Sequence, residues 1–95
     1  MSILHLSVFY QVIRNDNRIT TAHISVFMAL FERWSKRGFE GPVAFKRQEL
    51  MESAKISGLA TYHKCIRDLE VFGYIRYLPS FNPAKCSQVY ILVGQ

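Results

Sequence analysis

Ser57, Ala60, Thr61, Lys64 and Arg67 recur at intervals of three and four, the spacing that puts residues on one side of a helix. The first three are small or hydroxylic and the last two are long and cationic. That order suits entry into a nucleic-acid groove. Small residues at a helix N-terminus let its backbone and free N–H groups approach a phosphate. A lysine and an arginine further along reach base edges or phosphates, the arginine ideally by a bidentate contact to guanine. With Tyr62 as reference and 100° per residue, Leu59, Ile66 and Leu69 fall within about 60° of it and Phe72 near the margin. The spacing therefore predicts a helix over 57–72 with a core stripe on one side and the basic group on the other. Lysines and arginines opposite an apolar stripe are also what any solvated amphipathic helix carries, so the helix alone is evenly balanced between the two readings.

Other basic residues tilt that balance towards nucleic acid. Lys46 and Arg47 open the preceding segment, Lys55 lies in the turn, and Arg76 and Lys85 lie in the C-terminal part. From Lys46 to Lys85 there are seven basic and four acidic residues, a modest excess that predicts ordinary, strongly salt-dependent non-specific affinity. The whole chain has 95 residues, a net charge of +5 and a pI near 9.5, which favours phosphate-bearing partners.

The elements that must position these residues follow from hydrophobic periodicity. ILHLSVFYQVIRN is apolar on nearly all sides and is expected to be a helix ending near Asn15–Asn17, with a strand as the alternative. Its excess of apolar surface suggests that it crosses under the core or pairs with a second copy as a dimerisation element. In RITTAHISVFMALFERWSKRG, Thr20 or Thr21 can cap a helix whose stripe is Ile24, Phe27, Met28, Phe31 and Trp34. Gly38 stops it. Val43–Phe45 suits one short strand and Lys46–Ala54 a short helix. Gly73 occupies the closing position of the 57–72 helix. Residues 74–78 and 88–93 read as strands joined by PSFNPAKCS, a loop too long for a tight hairpin turn.

This order of elements, with a long-looped hairpin straight after two helices, is the layout of a winged helix. KISGLATYHKCIRDLEVFGYI resembles the recognition helix and first wing strand of winged helix-turn-helix proteins: a capping Ser57, Thr61 four residues on, apolar residues at helical spacing, then Gly-aromatic-Ile. Together with RITTAHISVFMALFERW and GYIRYLPSFNPAKCSQVYIL, the chain resembles small bacterial winged-helix proteins associated with mobile elements and loosely described as transcriptional regulators. The resemblance covers almost the whole chain. It implies an α+β, mainly helical domain over 1–95 with an extra N-terminal helix and a C-terminal wing at 79–87. It also implies sequence-specific double-stranded DNA binding as a transcriptional regulator or mobile-element accessory factor. The expected contact residues are Lys46, Arg47, Lys55, Ser57, Ala60, Thr61, Lys64, Arg67, Arg76 and Lys85. The rival expectation is a winged helix used as a protein-interaction module, since fold does not fix function.

Enzyme chemistry has little support. There is no phosphate-cradling glycine loop and no nucleophile elbow, and Glu49 and Glu52 are spaced as a surface pair. His5, His23 and His63 lie far apart, which argues for exposed or capping roles and against a metal site, so no cofactor is expected. Cys65 and Cys86 are too few for a disulfide framework and read as reduced. No apolar run reaches the ~18 residues of a membrane span, and the N-terminus lacks the features of a signal peptide, so the expected location is the cytoplasm.

Overall fold

The computed structural model of the chain describes residues 2–78 and 86–92. Among them are four helices and three strands in the order α1 (Ser2–Arg14), α2 (Thr21–Lys36), β1 (Val43–Phe45), α3 (Arg47–Ala54), α4 (Leu59–Val71), β2 (Ile75–Leu78) and β3 (Ser87–Ile91). The fold is a small, mainly helical α+β arrangement. Its sheet is antiparallel throughout, with β3 between β1 and β2. Val43 pairs with Val89, and Ile75 with Ile91, so the inward positions of the three strands form one apolar face.

The helix α2 is the central element, because its stripe is wide enough to serve several neighbours. Val26, Phe27, Leu30, Phe31 and Trp34 are buried on it, while Ile24 and Met28 are partly buried at the edge. It packs on α3, α4 and β1. Each such large side chain taken out of water contributes about 1.5–3 kcal/mol before entropy is charged against it. The helix starts at Thr20, whose hydroxyl accepts the backbone N–H of His23 while the Thr20 N–H donates to His23 Nδ1. This is a capping box with histidine in the place usually held by a carboxylate or amide.

α1 is helical, as expected, and docks through Phe9 and Ile13. The Phe9 ring stacks on Phe27 at 3.9 Å between centroids. Leu6 and Tyr10 flank that buried stripe on one side, Val8 and Val12 on the other, and all four are exposed. After α2, Gly38 and Phe39 both adopt positive φ, +70° and +63°. A left-handed Phe costs about 1–2 kcal/mol. Here the turn drives its ring edge-on against Trp34 and Phe31, which offsets the strain.

Several boundaries depart from expectation, among them the start of α3, which has Lys46 as its N-cap and begins at Arg47. The helix α4 begins at Leu59 with Gly58 as its N-cap, so Ser57 stands outside it and does not cap it. Gly58 adopts an extended conformation and makes no side-chain cap. Tyr74 belongs to the turn before β2 and not to the strand. There its buried ring lets the hydroxyl donate to Asp16 at 2.9 Å. β3 begins one residue earlier than expected, at Ser87, and ends at Ile91. Lys85, and most of the loop expected to form a wing at 79–87, lie outside the described residues. Among the described residues, no helix is long and apolar enough to cross a membrane.

Candidate nucleic-acid interface

The two sides of α4 differ as its pattern requires. Tyr62, Cys65, Ile66 and Leu69 are buried. Ala60, Thr61, His63, Lys64 and Arg67 are exposed. Leu59 was expected in the core stripe but is 46% exposed. The buried arc is centred between Tyr62 and Leu69 and widened by Cys65, which leaves Leu59 about 70° from its middle and in the first turn. Val71, 72% exposed, lies on the same outer side as Ala60, Lys64 and Arg67. Sequence reasoning passed over Val71 because it sits at the end of the pattern. The outer side thus ends in an apolar group rather than a charge.

The first turn of α4 lacks a side-chain cap, and so does that of α3, where Lys46 is the N-cap. Both helices therefore present backbone N–H groups without side-chain partners at their N-termini. Lys46 and Arg47 are exposed beside the α3 terminus. Lys55, the C-cap of α3, is left-handed with φ +61° and exposed. Ile56 N–H bonds back to Met51 across this turn, which closes α3 before the chain enters α4. Ser57 is exposed in the same connection.

Arg76 projects elsewhere. It lies on the outward side of β2, opposite Tyr90, and lines an open 420 Å³ depression with Leu78, Tyr90 and Leu92. That face of the sheet is the one turned away from the buried Ile75, Val89 and Ile91. Ala60, Thr61, Lys64 and Arg67 therefore share one helix surface, Lys46, Arg47, Lys55 and Ser57 lie in the segment leading to it, and Arg76 occupies a different surface.

A cluster that sequence reasoning did not assemble backs the outer side of α4. Lys64 Nζ lies 2.7 Å from Asp68 Oδ2, one helical turn away. The same oxygen is 2.9 Å from His23 Nε2 on α2, and the imidazole is buried. Because Nδ1 accepts the Thr20 N–H, the hydrogen-bond network assigns the ring proton to Nε2, which donates to Asp68. Lys64 first, and His23 second, hold the Asp68 carboxyl below the usual carboxylate range. Hydroxyl, imidazole and carboxylate lie in sequence here, since Thr20 Oγ1 is also 2.9 Å from Nδ1. The Nδ1 lone pair is engaged by the Thr20 backbone N–H.

A second carboxylate cluster pins the α1–α2 turn. Asp16 accepts from Arg18 Nε and Nη2 at 2.9 and 2.8 Å, from the Arg18 backbone N–H, and from the Tyr74 hydroxyl. The Arg18 guanidinium also lies 4.2 Å above the Phe72 ring. These bonds, the Arg18 side chain's above all, hold the Asp16 carboxyl far below the usual range. Burial and the bond to Asp16 push the Tyr74 hydroxyl up to about 12.

One buried polar atom has no partner among the described residues, the Tyr62 hydroxyl, and burial raises its pKa well above the ordinary tyrosine value. Cys65 is buried and Cys86 exposed, both free, and burial pushes the Cys65 thiol up. Among the described residues no group of three or more His, Cys, Asp or Glu side chains is arranged to hold a metal ion. Comparison with models of protein families, with curated proteins and with solved structures yields no match to this chain.

Proposed function

We propose that this chain is a winged helix-turn-helix domain that binds double-stranded DNA through the outer side of α4. The observation that carries the reading is the division of that helix. Its large apolar residues from Tyr62 to Leu69 are buried, and Ala60, Thr61, Lys64 and Arg67 are left exposed behind an uncapped N-terminus. In this reading α4 enters the major groove and its free N–H groups meet a phosphate. Lys46, Arg47, Lys55 and Ser57 follow the backbone beside it, and Arg76, on the outward face of β2, takes part only if the duplex extends from α4 to that face, with Lys85 the further basic residue proposed there. The output is occupancy of a site, as a small cytoplasmic transcriptional regulator or as an accessory factor in excision or replication of a mobile element. A homodimer through the exposed flanks of α1 would double that footprint, and sedimentation at micromolar concentration tests for it.

Titration of a labelled duplex by fluorescence anisotropy at several salt concentrations tests the reading. Log affinity should fall linearly with log salt. The Lys64→Ala/Arg67→Ala variant should bind about tenfold or more weakly at low salt, with a slope shallower by about two. A wild-type protein that fails to bind at low salt removes the proposal. The second reading, a protein-interaction module, is favoured by the exposed Leu59 and Val71 bracketing the same surface. It gains if that variant binds duplex unchanged while a partner protein is lost.

A further inference from the structure

The Lys64 ammonium is 72% exposed at its side chain, Asp68 is 19% exposed and His23 6%. All three meet at one carboxylate oxygen. Lys64 points its charge along its own helix and not outward, so it must leave Asp68 before it can touch a phosphate. A half-buried carboxylate stripped of its only partner would resist that exchange, because an unsatisfied charge partly withdrawn from water is costly. Asp68 is not stripped. The His23 N–H continues to donate to it from a buried position fixed at its other nitrogen by Thr20.

We propose that Asp68 holds Lys64 in reserve as a phosphate-binding group, with His23 as the positioning residue that keeps the carboxylate satisfied when Lys64 departs. The proposal rests on the DNA-binding reading above and adds a device to it. Lys64 is neutralised in the free protein and becomes a contact only where a stronger anion is offered. Release is inexpensive because an exposed pair of this spacing is weak. Lys64 is the first cause of the lowered Asp68 titration and His23 the second, and of the two only the His23 hydrogen bond persists when Lys64 leaves.

The test is a cycle of wild type, Asp68→Asn, Lys64→Ala and the double variant, titrated with the same duplex at about 0.15 M salt, where charges more than about 8 Å apart are largely screened. Removing the competitor should tighten binding about threefold when Lys64 is present. In the Lys64→Ala background the same substitution should change affinity by clearly less. Equal gains in both backgrounds, or no gain, overturn the proposal and leave DNA binding intact. Absence of any wild-type binding overturns both. His23→Gln supplies the second arm. It should weaken binding towards the level of Lys64→Ala, and adding Asp68→Asn should restore it. A histidine that merely holds the fold together would not be rescued by changing its partner. The Asp68/Lys64 cycle stands even if His23→Gln does not fold.

Discussion

Asp16 and Asp68 are built from the same parts and used differently. Each carboxylate joins a cation close in sequence to a buried donor from a distant element: Arg18 and Tyr74 for Asp16, Lys64 and His23 for Asp68. Around Asp16 the cation is held by several contacts at once. The guanidinium makes two side-chain bonds and stacks on Phe72, so neither charge can move without breaking several contacts. Around Asp68 the cation is a single flexible ammonium with one bond and a largely exposed stem. The contrast teaches that an ion pair's role is set by how many contacts its cation makes, not by its distance. Arg18 serves stability, whereas Lys64 remains able to exchange partners.

Unfolding measurements can break or sharpen this contrast. The largest effect is expected from the buried donor on the fixed side. Tyr74→Phe should cost about 1.5 kcal/mol, a drop in Tm on the order of 8 °C, because a hydrogen bond to a charged acceptor disappears. Tyr62→Phe provides the reference of opposite sign. Its hydroxyl bonds to nothing among the described residues, so removing it should raise stability by about 1 kcal/mol. If both changes have the same sign, the partner of the hydroxyl is not what decides.

Acid should expose both clusters. Each carboxylate is held below its unfolded value, so its contribution is fully present above about pH 4 and is lost as pH falls through the folded values. Asp16 lies lower and should be lost last. Urea midpoints measured from pH 7 to 2 should decline below about pH 4, and Asp16→Asn/Asp68→Asn should flatten that decline. An unchanged slope in the double variant would show that other carboxylates carry it. The smallest effect is expected at Lys64→Ala, about 0.4 kcal/mol, in keeping with an exposed pair one turn apart. A loss approaching that of Tyr74→Phe would place Lys64 among the fixed cations and contradict its reserve role.

Local signals were the ones legible in the chain. The Thr20 cap, the Val43–Phe45 strand and the closing Gly73 all lie within a few residues of the cause that fixes them, and each is found as expected; of the α2 stripe, Phe27, Phe31 and Trp34 are buried as expected, whereas Ile24 and Met28 lie at its edge and Val26 and Leu30 take the centre. Phe39 and Lys55 were not legible as left-handed residues, since glycine is the usual signal; ring packing on Trp34 and Phe31 overrides it at Phe39, and the backbone bonds that close α3 hold it at Lys55. Leu59 was misplaced because a helical wheel has no knowledge of where the neighbouring elements end. For the candidate interface, the exposure of Ala60, Thr61, Lys64 and Arg67 could be read from periodicity alone. The link from Asp68 to His23 could not. It spans 45 positions, and no local pattern encodes which histidine lies behind which carboxylate.

Glu70 has a consequence of its own. Its carboxylate accepts the backbone N–H of Tyr77 at 3.0 Å, on the side of β2 that no strand covers among the described residues. A bare strand margin is a template on which other chains assemble, and a donor already occupied by an anion cannot serve as one. The opposite margin, β1, offers only Val43–Phe45 and follows Pro42. One donor of the β2 margin is thus withdrawn from pairing and the β1 margin is short, two features that oppose strand addition from another chain.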